Sequence, residues 1–272
     1  MCRHLAYLGP AVSLRSLLID PPHGLYRQAW APRMQRHGTV NADGFGIGWY
    51  ASGDPVPARY RRAVPIWGDP SLPDLARVTR SSAVLAAVRD ATVGTALGEA
   101  AAAPFASGSW LFSHNGLLAG WPASAAAVMA QADECDIQPP ITSSMSHSSR
   151  AETLLALEAI TDSAFLWLLI LERLRAGTPA DVALATTIEA VEASGGTGRF
   201  NFLLTDGQAI AATTAGDTLW YRRASGAVTV ASEPCDDEPG WTEVPDRQLL
   251  SAAPSQATVR PLSSLNEGIG IR

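Results

Sequence analysis

Apolar and polar positions fall in blocks along this chain. Leu5 to Leu8 is a short apolar run that reads as a buried strand. Asn41 to Tyr50 carries glycine at alternate positions, Gly44, Gly46 and Gly48. Glycine weakens a helix and allows close backbone approach in a strand, so Phe45 to Tyr50 is expected to be a strand packed tightly against something. Asp69 to Arg80 fits a short helix with Asp69 or Ser71 near its N-cap. Ser82 to Val88 reads as a buried strand, Ala96 to Gly108 as an alanine-rich loop, and Trp110 to Ser113 as a strand ending at the turn signal Asn115-Gly116.

The second half changes character. Gln138 to Ser149 is rich in Pro and Ser and reads as a surface loop. Arg150 to Ile160, Ser163 to Ala176 and Pro179 to Ala193 carry helical patterns, the last opened by Thr178-Pro179 and stopped by Gly195-Gly196. Four short strands follow: Phe200 to Thr205, Ala209 to Thr214, Thr218 to Arg222 and Ala227 to Ala231, with Asp206-Gly207 as a hairpin turn. The tail from Gly240 is irregular apart from Thr258 to Pro261. Strands and helices in blocks predict an α+β fold with largely antiparallel sheets.

Composition narrows the chemistry. The 272 residues suit one large domain or two small ones, and 47% hydrophobic residues can fill a sizeable core. A net charge of −6 disfavours a broad nucleic-acid surface, and Phe165 to Leu171, the longest apolar run, is far too short to span a bilayer. Every one of the 20 basic residues is arginine, so a Schiff-base lysine, a pyridoxal-phosphate lysine and a P-loop lysine are all excluded. Cys2, Cys135 and Cys235 form neither a disulfide framework nor a metal-binding spacing. A reducing cytoplasm fits these thiols, and no metal or cofactor is expected.

Cys2 can become the first residue once Met1 is trimmed. Its α-amine would then titrate near ~7.7–8.0 and its thiol near ~8.5, so the amine can act as base for its own thiol. Taken alone, Cys2 also fits a chance cysteine at a frayed end, and Asn115-Gly116 fits an ordinary turn. Arg89 could pair with Asp90, and Asp162 could cap the helix that follows it.

The combination is more specific than its parts. Met1-Cys2-Arg3-His4, Asn41-Ala42-Asp43-Gly44-Phe45-Gly46, Arg89-Asp90-Ala91-Thr92, His114-Asn115-Gly116 and Thr161-Asp162-Ser163, in this order, resemble the class II glutamine amidotransferase domain, a branch of the N-terminal nucleophile hydrolases. The resemblance runs from Cys2 to about Pro234. It implies a four-layer αββα sandwich, here a single domain over 2–272, and a small-molecule γ-glutamyl substrate. It also implies that Cys2 attacks the γ-carbonyl and that Asn115 and Gly116 supply the oxyanion hole. Arg89 would hold the α-carboxylate, Thr92 would add a hydroxyl, and Asp162 would bind the α-ammonium. His37, Asn41 and Asp43 would support the loop before the glycine strand, and His114 would be structural. Two departures stand out: Ala164 replaces an acid after the serine, and Ala87 replaces a histidine before the arginine.

Only about 40 residues follow the resemblance, too few for a synthase domain. That implies a stand-alone amidohydrolase, with a glutaminase subunit or a catalytically silent relative as alternatives. The glycine stretch and the ending Ser232-Glu233-Pro234, Asp236-Asp237, Pro239-Gly240-Trp241 resemble the ergothioneine-pathway branch, which hydrolyses γ-glutamyl-hercynylcysteine S-oxide. The Gln138 to Arg150 loop is then expected to form one wall of the site.

Overall fold

The computed structural model describes residues 2–92, 94–134, 155 and 157–265. Two antiparallel sheets stack face to face, with helices on both outer faces. The first sheet has seven strands in the order β11-β9-β10-β1-β4-β2-β3. These are β1 (Arg3–Ser13), β2 (Phe45–Trp49), β3 (Ala58–Arg62), β4 (Arg80–Val88), β9 (Trp220–Ala224), β10 (Ala227–Ala231) and β11 (Thr242–Glu243). The second has six in the order β13-β12-β8-β7-β6-β5: β5 (Phe105–Ser107), β6 (Trp110–Leu118), β7 (Gly198–Thr205), β8 (Ile210–Thr213), β12 (Gln248–Ala253) and β13 (Gln256–Pro261).

Strand alternation assigns the layers. From β1, Leu5 and Tyr7 point outward to Leu14, Leu18, Leu25, Leu72 and Ala76, which lie in or beside α1 (Leu14–Leu18), α2 (Leu25–Gln28) and α3 (Leu72–Val78). Ala6 and Leu8 point inward to Leu111 and Leu203 of the other sheet. On that sheet Phe112, Phe200 and Phe202 face outward against α5 (Asp162–Arg175) and α6 (Ala180–Ala193). The result is the αββα sandwich. A further helix, α4 (Ala123–Glu134), has no expectation to answer to, because an alanine-rich stretch shows little apolar periodicity.

The glycine strand is as tight as its sequence implies. A Cβ on Gly46 would strike the carbonyl of Ala103, and one on Gly48 would come within 2.7 Å of the Leu111 side chain. These two positions set how closely β2 approaches the second sheet.

Several sequence expectations need correction. β6 does not end at Ser113: pairing with β7 continues through Leu118 opposite Gly198, so Asn115-Gly116 lies inside a ladder and the chain turns only near Gly120. The stretch from Ala96 to Gly108 is not all loop, since Phe105–Ser107 pairs with β6 as an edge strand. The tail holds three strands rather than one, because β12 and β13 extend the second sheet past β8. Residues 157–160 form bends, not helix, while most of the expected Arg150 to Ile160 helix and all of the Gln138 to Ser149 loop lie outside the described residues.

Candidate active site

Cys2 sits where β1 begins, at the end of the space between the sheets. Its main-chain nitrogen donates to Asn115 Oδ1 at 3.2 Å. Asn115 is fully buried, and its Nδ2 has no hydrogen-bond partner among the described residues. A buried amide donor left unpaired costs ~1–3 kcal/mol, which marks it as a group waiting for a ligand. Gly116 is needed by its surroundings: at φ 155° a Cβ would run into the carbonyl of Arg199 and lie 2.6 Å from His114 Nε2.

The end of β4 supplies the second side. The β1–β4 register, Arg3 opposite Val88, sets Cys2 beside Arg89 and Asp90, and the Asp90 amide favours the ionised thiol. Burial pushes that thiol above its ordinary range; the ammonium of the chain terminus, the Asp90 amide and Arg89 all oppose this, while Asp162 adds to it. Arg89 is almost wholly buried. Its Nη2 donates to Thr95 Oγ1 at 3.1 Å and Ala96 O at 2.9 Å, leaving Nη1 buried with no partner among the described residues. The loop after it is pinned from the segment just before the glycine strand, since Asp43 Oδ2 accepts from Ala91 N at 2.8 Å.

Thr92 lies in the loop that follows Arg89. Its carbonyl closes a turn by accepting the Thr95 hydroxyl at 2.7 Å, and it is Thr95, not Thr92, whose hydroxyl meets the guanidinium. Asp162 opens α5 rather than capping it; the cap is Thr161, whose hydroxyl accepts from Ala164 N at 3.1 Å. The Asp162 carboxylate accepts from Leu118 N at 2.9 Å and from Ser163 N at 2.8 Å, which locks it to the strand carrying Asn115 and Gly116.

His114 faces away from the thiol, into the helix layer. Its Nε2 must donate to the Arg199 carbonyl at 2.8 Å, so Nδ1 accepts from Ser163 Oγ at 3.0 Å. Burial holds its pKa low, opposed chiefly by Asp162. Both ring nitrogens are occupied, which fits the structural role expected for it. Asn41 is fully buried and closes its loop through Nδ2, which donates to Gln28 O at 3.1 Å and Gln35 Oε1 at 3.0 Å. His37 is exposed.

The structure therefore brings Cys2, Arg89, Asn115 and Asp162 to one end of the sandwich, with Gly116 beside them on β6. Sequence reasoning missed the Asp90 amide and Thr95. Backbone donors leave no residue-type signal, and Thr95 lies just past the motif. Among the described residues no cluster of His, Cys, Asp and Glu could hold a metal ion.

A cysteine at position 2, opening onto two stacked antiparallel sheets with helices on both outer faces, is the arrangement of the N-terminal nucleophile hydrolases. The profile of the class II glutamine amidotransferases matches residues 26–136. The γ-glutamyl-hercynylcysteine sulfoxide hydrolase of Mycolicibacterium smegmatis is 40% identical over 262 residues, 96% of this chain and 100% of that protein. Its namesake in Mycobacterium tuberculosis is 39% identical over 264 residues, 96% of this chain and 97% of the other. A class II glutamine aminotransferase domain protein from Silicibacter pomeroyi superposes with a TM-score of 0.63 at 26% identity, covering 96% of this chain and 100% of that one. Glutamine phosphoribosylpyrophosphate amidotransferase of B. subtilis shares the fold, with a TM-score of 0.59 at 17% identity over 96% of this chain and 49% of its own. The chain belongs to the class II glutamine amidotransferase family.

Proposed function

We propose that this protein hydrolyses γ-glutamyl-hercynylcysteine S-oxide to glutamate and hercynylcysteine S-oxide, a step of ergothioneine biosynthesis, through a thioester on Cys2. The observation that carries the reading is the Asn115 side chain, which spends Oδ1 on the Cys2 nitrogen and leaves Nδ2 free. The mycobacterial relatives named for this reaction, matched over nearly their whole length, support the choice of substrate.

Once Met1 is removed, the nitrogen that now donates to Asn115 becomes the α-amine. It takes the thiol proton as sulfur attacks the γ-carbonyl. Negative charge moves to the carbonyl oxygen, where Asn115 Nδ2 and the Gly116 N–H donate to it. Collapse of this intermediate breaks the C–N bond, and the α-ammonium returns its proton to the departing amine. Water, deprotonated by the same amine, attacks the thioester and releases glutamate and the thiol. Arg89 Nη1 holds the α-carboxylate, and Asp162 attracts the α-ammonium. Thr92 shapes the loop through its carbonyl. Cys2 and Cys235 are free, and a reducing cytoplasm suits a nucleophilic thiol.

The test is glutamate release from a panel of glutamine, simple γ-glutamyl dipeptides and γ-glutamyl-hercynylcysteine S-oxide. The S-oxide should be the preferred substrate, mass spectrometry should find Met1 absent, and Cys2→Ala should be inactive. Full turnover by Cys2→Ala would overturn the mechanism. Ammonia release from glutamine alone would make the protein a glutaminase subunit instead.

A further inference from the structure

Outside the glutamyl site, the least expected buried group is Arg3. It is fully buried, and none of its three guanidinium nitrogens has a hydrogen-bond partner among the described residues. The β1–β10 register, Leu5 opposite Ala231, continues through Ser232, whose amide donates to His4 O at 3.0 Å, and so sets Glu233 beside Arg3. Glu233 is also fully buried. Its carboxylate does not close on the guanidinium. Instead Oε1 accepts from Arg33 N at 2.9 Å and Oε2 from Met34 N at 2.8 Å.

Those two amides begin the irregular segment 33–40. Arg33 adds weaker ties from its own side chain, to Asp237 Oδ1 at 3.0 Å and Pro234 O at 3.2 Å. Further along, Gly38 at φ 69° lies directly against the Asp90 carboxylate. Asp90 follows Arg89, which the β1–β4 register (Arg3 opposite Val88) places next to Cys2. A ring therefore closes around the nucleophile: Cys2 just before β1, Arg3 at its start, Glu233 beside Arg3, the 33–38 loop that Glu233 holds, and Asp90 under that loop. Residues 36–40 are exposed, so the loop is held at its start by the two backbone bonds to Glu233 and at its far end by buried Asn41 through Gln35.

We propose that Glu233 is a positioning residue, a carboxylate latch that seats the 33–40 loop over the thiol and thereby encloses the bound substrate. A carboxylate accepts two parallel amide donors at once, whereas a glutamine can serve only one of them through its carbonyl oxygen. Burying such a charge is tolerable only beside a counter-charge, and Arg3 provides it. Burial pulls the Arg3 guanidinium down, and Glu233 is the charge that opposes this most.

The test uses Glu233→Gln and, on the loop side, Gly38→Ala, whose Cβ would strain the loop at φ 69° and press on the Asp90 carboxylate without touching the core. In both, KM for the γ-glutamyl substrate should rise about tenfold with kcat within about twofold, the signature of lost substrate enclosure. Alkylation of Cys2 by iodoacetamide, read as mass added at that residue, should speed up several-fold because the thiol is uncovered. Unchanged KM and unchanged alkylation in both variants would overturn the latch, as would a fall in kcat with KM constant. The KM arm rests on the reading of Cys2 as nucleophile. The alkylation arm does not, so an active Cys2→Ala enzyme would sink that reading while the latch is still judged on labelling.

Discussion

The Asn115 side chain accepts from the Cys2 nitrogen at one end and offers an unpaired amide at the other. One residue thus fixes the nucleophile and aims a donor beside it. Replacing it should separate rate from binding. Asn115→Ala is expected to lower kcat by about 10²–10³-fold, ~3–4 kcal/mol of transition-state stabilisation, with a much smaller change in KM. Steady-state kinetics on the preferred γ-glutamyl substrate checks this, and an equal loss in both parameters would assign Asn115 to substrate binding.

Arg89 should behave in the opposite way. Its buried Nη1 is the free half of a guanidinium whose other half is held by Thr95 and Ala96. Arg89→Met keeps the bulk and removes the fork. Inhibition by the product glutamate should weaken at least about tenfold, since a charged hydrogen-bond pair is worth ~1.5–3 kcal/mol. Glutamate inhibition constants for the two proteins decide it.

Gly116→Ala should fail for steric reasons before chemical ones. The new methyl would meet the Arg199 carbonyl and the His114 ring in the β6–β7 ladder. Overpacking of this kind costs ~1–3 kcal/mol, and the positive φ adds strain. Thermal unfolding should show a clearly lower Tm, and an unchanged Tm would mean that the ladder can spread at this point.

His4 ties stability to pH. It is fully buried between the sheets, with Nδ1 3.2 Å from Ser113 Oγ. Burial first, then His114 and Arg3, hold its pKa down from 6.5 to about 3. The folded value is the depressed one, so the unfolded chain binds the extra proton. Stability is complete above pH ~6.5 and is lost as pH falls from there toward 3, by at most about 5 kcal/mol from this residue. His4→Asn should flatten that loss in denaturant titrations across pH 4–7. An identical pH slope in the variant would show that other groups set it.

The fold was legible wherever periodicity had one reading. α5, α6 and the β7–β8 hairpin follow their sequence signals closely, and Gly46 and Gly48 marked the tight sheet contact. Asn115-Gly116 misled because a local turn preference lost to the long β6–β7 ladder, whose partner strand lies some eighty residues away, as the His114–Arg199 bond at |i−j| of 85 illustrates. Thr258 to Pro261 marked most of β13, but β12 was hidden because a six-residue strand of mixed small and polar positions carries little alternation. At the site, the motif residues could be read from their types. The Asp90 amide and the Glu233 latch could not, since both act on or through backbone groups that any residue provides.

The pairing of β1 carries one more consequence. The strand that opens with the nucleophile is flanked on one side by β10, and His4 meets Ser232 across 228 residues of sequence. During synthesis β1 lacks that neighbour until the chain has been made through residue 232. Contacts this distant form late in folding. A chain ending before β10 would hold every residue of the candidate site yet leave one edge of the strand beside the thiol unpaired.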